Sequence, residues 1–132
     1  MEPKRPTRMN ESAKRIDKPW GYEIWWARTD RYVGKLLHIN AGESLSLQYH
    51  NVKDETILVQ AGTLLFETGS KDDPTNLKKT EMKPGDLFHI TPHTVHRMTG
   101  VTDVDIVEVS TPELDDVVRL EDRYGRAGTS NP

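Results

Sequence analysis

The sequence predicts an all-β barrel or sandwich, and three observations point there. Turn signals break the 132-residue chain at short intervals, the segments between them are rich in β-branched, aromatic and leucine side chains, and no long stretch carries a helical apolar period. The turns include Asn40-Ala-Gly42, Ala61-Gly62, Gly69-Ser-Lys-Asp-Asp-Pro74, Lys83-Pro-Gly-Asp86 and Thr91-Pro-His93. They delimit expected strands over 22–27, 32–39, 44–49, 55–60, 63–68, 86–90 and 104–110, with 94–98 as a further one. The only helix-like pattern is 112–122, where Thr111-Pro112-Glu113 would open a short C-terminal helical turn.

Taken in chain order, the first element is an arm. Residues 1–17 contain one side chain of the Leu, Ile, Val and Phe set, Ile16, and none follows Leu120. The expected organisation is therefore a flexible basic arm (1–17), one domain (18–126) and a flexible tail (127–132). The arm mixes Lys4, Arg5, Arg8, Lys14 and Arg15 with Glu2, Glu11 and Asp17 and has no aromatic residues, which argues against nucleic acid as a partner.

Within the domain, side chains of a strand alternate between faces. Leu45, Leu47 and Tyr49 thus share an apolar face, and Ser46, Gln48 and His50 the polar one. Glu55 opens a strand, Thr56-Ile-Leu-Val59, that is apolar on both faces. A carboxylate there must sit at a cavity mouth or be paired with a cation, because burying it alone is expensive. Cysteine is absent, so disulfides and thiolate chemistry are excluded. Apolar runs are far shorter than a membrane span and the N-terminus lacks a secretory pattern. With a net charge of −3, the chain is expected to be cytoplasmic and not membrane-bound.

The spacings carry the chemistry. Five residues separate Gly42 from Gln48, one separates Gln48 from His50, four lie between His50 and Glu55, and six between Glu55 and Gly62. Downstream, Pro84-Gly85-Asp86 precedes His96, with Pro92 and His93 in the turn before it. This resembles the paired motifs of the cupin superfamily, with Gln48 where the first motif usually has His and His93 where the second usually has Gly. The flanks Lys18-Pro-Trp-Gly-Tyr-Glu23, Ser44-Leu-Ser-Leu-Gln-Tyr-His50, Thr94-Val-His-Arg97 and Asp116-Val-Val-Arg-Leu-Glu-Asp-Arg-Tyr-Gly-Arg126 narrow the likeness. They are similar to the cupin domain of type II phosphomannose isomerases, in which Gln-x-His replaces His-x-His.

The resemblance implies a double-stranded β-helix, a jelly-roll barrel holding one divalent ion. Its ligands would be Gln48, His50, Glu55 and His96, a nitrogen and oxygen set suited to zinc first, with iron, manganese or nickel as alternatives. It implies a sugar phosphate substrate, interconverted between aldose and ketose forms. Because Glu55 would be held by the metal, the base is sought among Lys35, His89 and Glu108, and phosphate recognition among Arg119, Arg126 and Tyr124. A homodimer is expected, with the 22–27 strand as its pairing edge. Two other readings stay open, a metal-dependent dioxygenase and a non-enzymatic sugar- or metabolite-binding cupin.

Overall fold

The computed structural model describes residues 12–128, and every regular element among them is a strand. They are β1 (Lys14–Lys18), β2 (Gly21–Arg28), β3 (Val33–Ile39), β4 (Leu47–Tyr49), β5 (Glu55–Ala61), β6 (Leu64–Ser70), β7 (Asp73–Met82), β8 (Leu87–Ile90), β9 (Thr94–Gly100), β10 (Val104–Ser110) and β11 (Val118–Glu121). Two antiparallel sheets face each other, one ordered β1-β2-β3-β10-β5-β8 and the other β11-β4-β9-β6-β7. Sheet neighbours are mostly distant in sequence, as in a jelly roll, where the chain crosses between sheets.

The inward face of each central strand follows from its alternation. Leu37 and Ile39 of β3, Ile57 and Val59 of β5, and Val104 and Ile106 of β10 are buried from the first sheet. Leu64 and Phe66 of β6 and Met98 of β9 meet them from the second, with Trp20, Met82 and Ile90 closing the cluster. The same alternation then continues into charge: Lys35 precedes Leu37, Glu108 follows Ile106, Glu55 precedes Ile57 and His96 precedes Met98, all buried. One end of the barrel is thus packed with hydrocarbon and the other with ionisable groups. That division along the barrel axis positions the site.

Three expectations are corrected. The 112–122 segment is not helical: Leu114 and Asp116 donate backbone N–H groups to Pro112 and Glu113 in tight turns, and the β-branched pair Val117-Val118 then leads into β11, which pairs with β4. The expected 69–74 turn is only residues 71–72, because β6 runs to Ser70 and β7, a ten-residue strand not among the expected ones, starts at Asp73 and runs antiparallel to β6. The 22–27 strand is not an edge, because β1 pairs along it from Lys14↔Trp25 to Lys18↔Gly21. Residues 14–17 of the expected arm therefore belong to a sheet, whereas 1–11 and 129–132 lie outside the described residues. No helix among the described residues is long and apolar enough to cross a membrane.

Gly62 shows why the first motif ends in glycine. Its φ is +82°, and a Cβ there would stand 2.0 Å from the Asp103 carbonyl oxygen. Gly42 has φ +83° but nothing within 4 Å. The two should separate cleanly on substitution. Gly42→Ala is expected to cost only the left-handed penalty of about 1–2 kcal/mol, whereas Gly62→Ala adds a backbone clash and should lower the melting temperature by roughly 10 °C or more. Equal melting temperatures in the two variants would contradict this.

Candidate metal centre

The centre is assembled from two strands and the segment that follows a third. His50 follows β4, Glu55 begins β5 and His96 lies in β9, where its backbone pairs with Gln48. All three side chains are at most 2% exposed. His50 Nδ1 lies 2.6 Å from the Asp116 carbonyl oxygen, and His96 Nδ1 lies 2.9 Å from that of Thr94. A carbonyl only accepts, so each Nδ1 carries the proton and each Nε2 presents a lone pair.

Those lone pairs face a carboxylate. His50 Nε2 is 2.8 Å and His96 Nε2 3.8 Å from Glu55 Oε2, and none of the three atoms has a hydrogen-bond partner. Three buried acceptors within 4.8 Å of one another could together hold a cation. Protonating His50 a second time would serve only its own 2.8 Å contact and would leave His96 Nε2 still facing Glu55. Burial pushes the His96 imidazole down to about 4 against the pull of Glu55, so it is neutral at neutral pH, the form a metal requires. Burial works against ionising Glu55, but the nearby Lys53 ammonium opposes it and the carboxyl is held below the usual range. Imidazole nitrogen and carboxylate oxygen, with both rings oriented by backbone carbonyls, fit a divalent metal such as zinc.

Gln48 lines the same cavity, with its Oε1 accepting the Ser46 hydroxyl at 2.6 Å. His93 has φ 71°, the left-handed conformation that glycine normally fills, and its N–H donates to the His50 carbonyl at 2.7 Å. The turn before His96 is thereby fastened to the strand that carries the other imidazole.

Two buried ion pairs flank the centre. Lys35 Nζ lies 3.2 Å from Glu23 Oε1, which also accepts the Trp25 indole N–H at 2.7 Å. Lys53 Nζ lies 3.2 Å from Glu108 Oε2 and 3.9 Å from Glu55 Oε1. Burial pushes the Glu108 carboxyl up, with Lys53 opposing. These groups line one cavity of about 50 Å³, room for an ion and a few waters, continuous with open solvent.

The family follows from this arrangement. The Cupin domain family pattern matches residues 35–110, which contain every residue of the centre. The chain belongs to the cupin family. Among curated proteins, this cupin is similar to the mannose-1-phosphate guanylyltransferase ManC of Salmonella typhimurium (strain LT2), 31% identical over 116 residues. It is likewise similar to the mannose-1-phosphate guanylyltransferase of Escherichia coli (strain K12), 32% identical over 126 residues. In both comparisons 86% of this chain is covered but only 23% of the relative, so the likeness is confined to a part of those proteins. Among solved structures, the capsular polysaccharide assembling protein CapF from Staphylococcus aureus superposes with a TM-score of 0.67 at 16% identity, over 91% of this chain and 34% of that one. KdgF from Halomonas sp. gives 0.66 at 20%, over 76% and 88%. At these identities the structural likeness speaks for the fold.

Of the residues singled out in the sequence, the cavity gathers Lys35, Gln48, His50, Glu55, Glu108, Arg119 and Arg126, with His96 facing Glu55 beside them. It does not gather His89 or Tyr124. His89 lies between the inward-facing Phe88 and Ile90, so it points outward, where Nε2 meets Asp54 Oδ1 at 2.6 Å. The Tyr124 hydroxyl donates to Glu43, and its ring packs on the apolar cluster. Sequence reasoning missed Glu23, Lys53 and Asp116. Lys53 was legible as the cation two residues before Glu55, the partner that a buried carboxylate calls for. Asp116 stood in a flank that narrowed the likeness but without a role, and here its carboxylate accepts N–H groups from Asn51, Val52 and Lys53 at 3.0, 2.6 and 2.8 Å while its carbonyl orients His50.

Proposed function

We propose that this cupin is a metal-dependent aldose–ketose isomerase of sugar phosphates, acting as a homodimer on a mannose 6-phosphate type of substrate. The observation that carries the reading is the company the acceptor cluster keeps. Beside it stand Lys18, Lys35, Lys53, Arg119 and Arg126, against the carboxylates Glu23, Glu55 and Glu108. Burial pushes the Arg119 guanidinium down, and the charge of Arg126 adds to this; Lys18 is lowered by burial, in part reversed by Glu23, and also by Lys35, Arg126 and Arg119. Like charges crowded at one mouth are relieved by an anion such as a phosphate, and the Arg126 guanidinium is already oriented there by two 3.0 Å bonds to Asp122.

His50, Glu55 and His96, with Gln48 beside them, would hold the ion. When bound, it supplies Lewis acidity to an oxygen of the substrate. Glu108 is the base that moves a proton between adjacent carbons: its carboxyl is buried, raised by that burial, and fixed by Lys53 at 3.2 Å. Lys35, paired to Glu23, positions the anionic end with Arg119 and Arg126. His89, which faces outward, has no part in the chemistry.

The test is to supply the protein with zinc under anaerobic conditions and mannose 6-phosphate in deuterated water. The expected result is ketose formation with deuterium at the carbon that exchanges its proton. Dioxygen consumption with iron, and no isomerisation of any aldose phosphate, would transfer the assignment to an oxygenase. Binding of sugar phosphate without turnover would leave a binding protein.

A further inference from the structure

The outer face of the six-stranded sheet carries a row of apolar side chains that the core does not require. Ile24, Leu36, Val107, Leu58 and Leu87 stand in direct register across β2, β3, β10, β5 and β8, each on the side opposite the buried residues of its strand. A sheet with one face on the core ordinarily turns polar residues outward. The five-stranded sheet of this molecule does so. Its outward Glu67 is in register with Arg97 and Lys79, and the Arg97 guanidinium bonds both Glu67 oxygens at 2.8 and 3.1 Å and reaches Glu121 at 3.2 Å. One chain has thus covered one outer face with ion pairs and laid an apolar row across the other, beside the His38–Asp105 pair.

The neighbouring row extends the surface. A bulge between Trp25 and Ala27 turns Trp26 across Gly34, where a Cβ would meet the indole at 2.7 Å. Trp26 remains 53% exposed, and Val109, beside Gly34 in register, 50%. Leu87 at the end of the row is 63% exposed. No charged residue interrupts the row from β2 to β8.

We propose that this face is where two copies of the chain meet. Size supports it: strands ~4.8 Å apart and same-face residues ~6.8 Å apart give a footprint on the order of 500 Å² per copy. The two copies together bury about 1,000 Å², the level at which specific interfaces begin. The order of residues supports a copy of itself as the occupant. Val107 is central, with Leu36 and Leu58 on either side and Ile24 and Leu87 beyond. A two-fold axis along the strands over Val107 lays Leu36 on the partner's Leu58 and Ile24 on the partner's Leu87, so the row matches its own reverse in side-chain volume, as an isologous contact demands.

The inference rests on the homodimer in the proposed function and names its surface. It is tested by sedimentation equilibrium of the full chain alongside Leu58→Lys and Val107→Glu, with far-ultraviolet circular dichroism and melting temperature as checks on folding. Leu58 is 39% exposed, so its variant keeps the fold measurable if Val107→Glu unfolds. The expected result is a wild-type dimer at micromolar concentration, and a folded Leu58→Lys protein whose dimer dissociation constant rises about a hundredfold or more. A wild-type dimer left intact by Leu58→Lys overturns the surface but not the dimer. A wild-type monomer at the highest soluble concentration overturns both, and the isomerisation assay is unaffected by either outcome.

Discussion

Replacing Glu55 by Gln is expected to abolish tight binding of zinc while leaving the protein folded. Among the described residues, Glu55 is the only carboxylate whose oxygen faces both imidazole nitrogens, at 2.8 and 3.8 Å. Loss of a group that merely orients a ligand costs about 10- to 100-fold in metal affinity, so loss of the anionic ligand should exceed the upper figure. Gln is isosteric, and its amide can donate to a neighbouring imidazole, which removes the three-acceptor conflict. The metal-free variant should therefore melt at or above the metal-free parent, and the rise in melting temperature that zinc gives the parent should vanish. Lys53 keeps its contact with Glu108 at 3.2 Å, so no buried ammonium is stranded. Calorimetric titration and a thermal scan check both halves. Retention of zinc by Glu55→Gln as strong as in the parent would refute the centre.

Replacing Glu108 by Gln is expected to lower kcat for sugar phosphate isomerisation by about 10²- to 10⁴-fold, the range for removing a positioned base. The Michaelis constant should change little, because Arg119, Arg126 and Lys35 remain to hold the anionic end. Zinc content should equal that of the parent, since Glu108 Oε2 faces Lys53 and belongs to no ligand group. Deuterium exchange into recovered substrate should fall with kcat. An unchanged rate with normal metal content would remove Glu108 from the chemistry, and a rate loss accompanied by metal loss would mean that it supports the centre instead.

How far these residues could be read in advance differs element by element. The strand alternation placed Glu55 and Ile57 on one face and Thr56 and Leu58 on the other, and the register confirms the pattern from Glu55↔Ile90 to Leu58↔Leu87. The same rule shows His89 outward, because Phe88 and Ile90 on either side of it are the apolar pair; its closeness to Phe88 in sequence is the opposite of sharing a face. The 112–122 segment misled because Pro112 and the acidic residues after it suit a helix start, a local preference of small size. Pairing of Val118 and Arg119 with Tyr49 and Gln48, and the use of Asp116 to hold the turn at 51–53, outweigh it.

By itself the sequence determined the strand-rich class, and through the likeness of its spacings to the cupin motifs it pointed to His50, Glu55 and His96, whose side chains converge on one point. Only the tertiary structure decided which groups complete them. The His50 imidazole takes its orientation from Asp116, 66 positions away, and Glu108 of β10 meets Lys53 in the segment before β5 only after the chain has folded back. The apolar outer row likewise comes from five strands whose sheet order is not their chain order. Alternation is a property of a single strand, whereas partners across strands are set by register, and register is fixed when many weak apolar contacts are satisfied together.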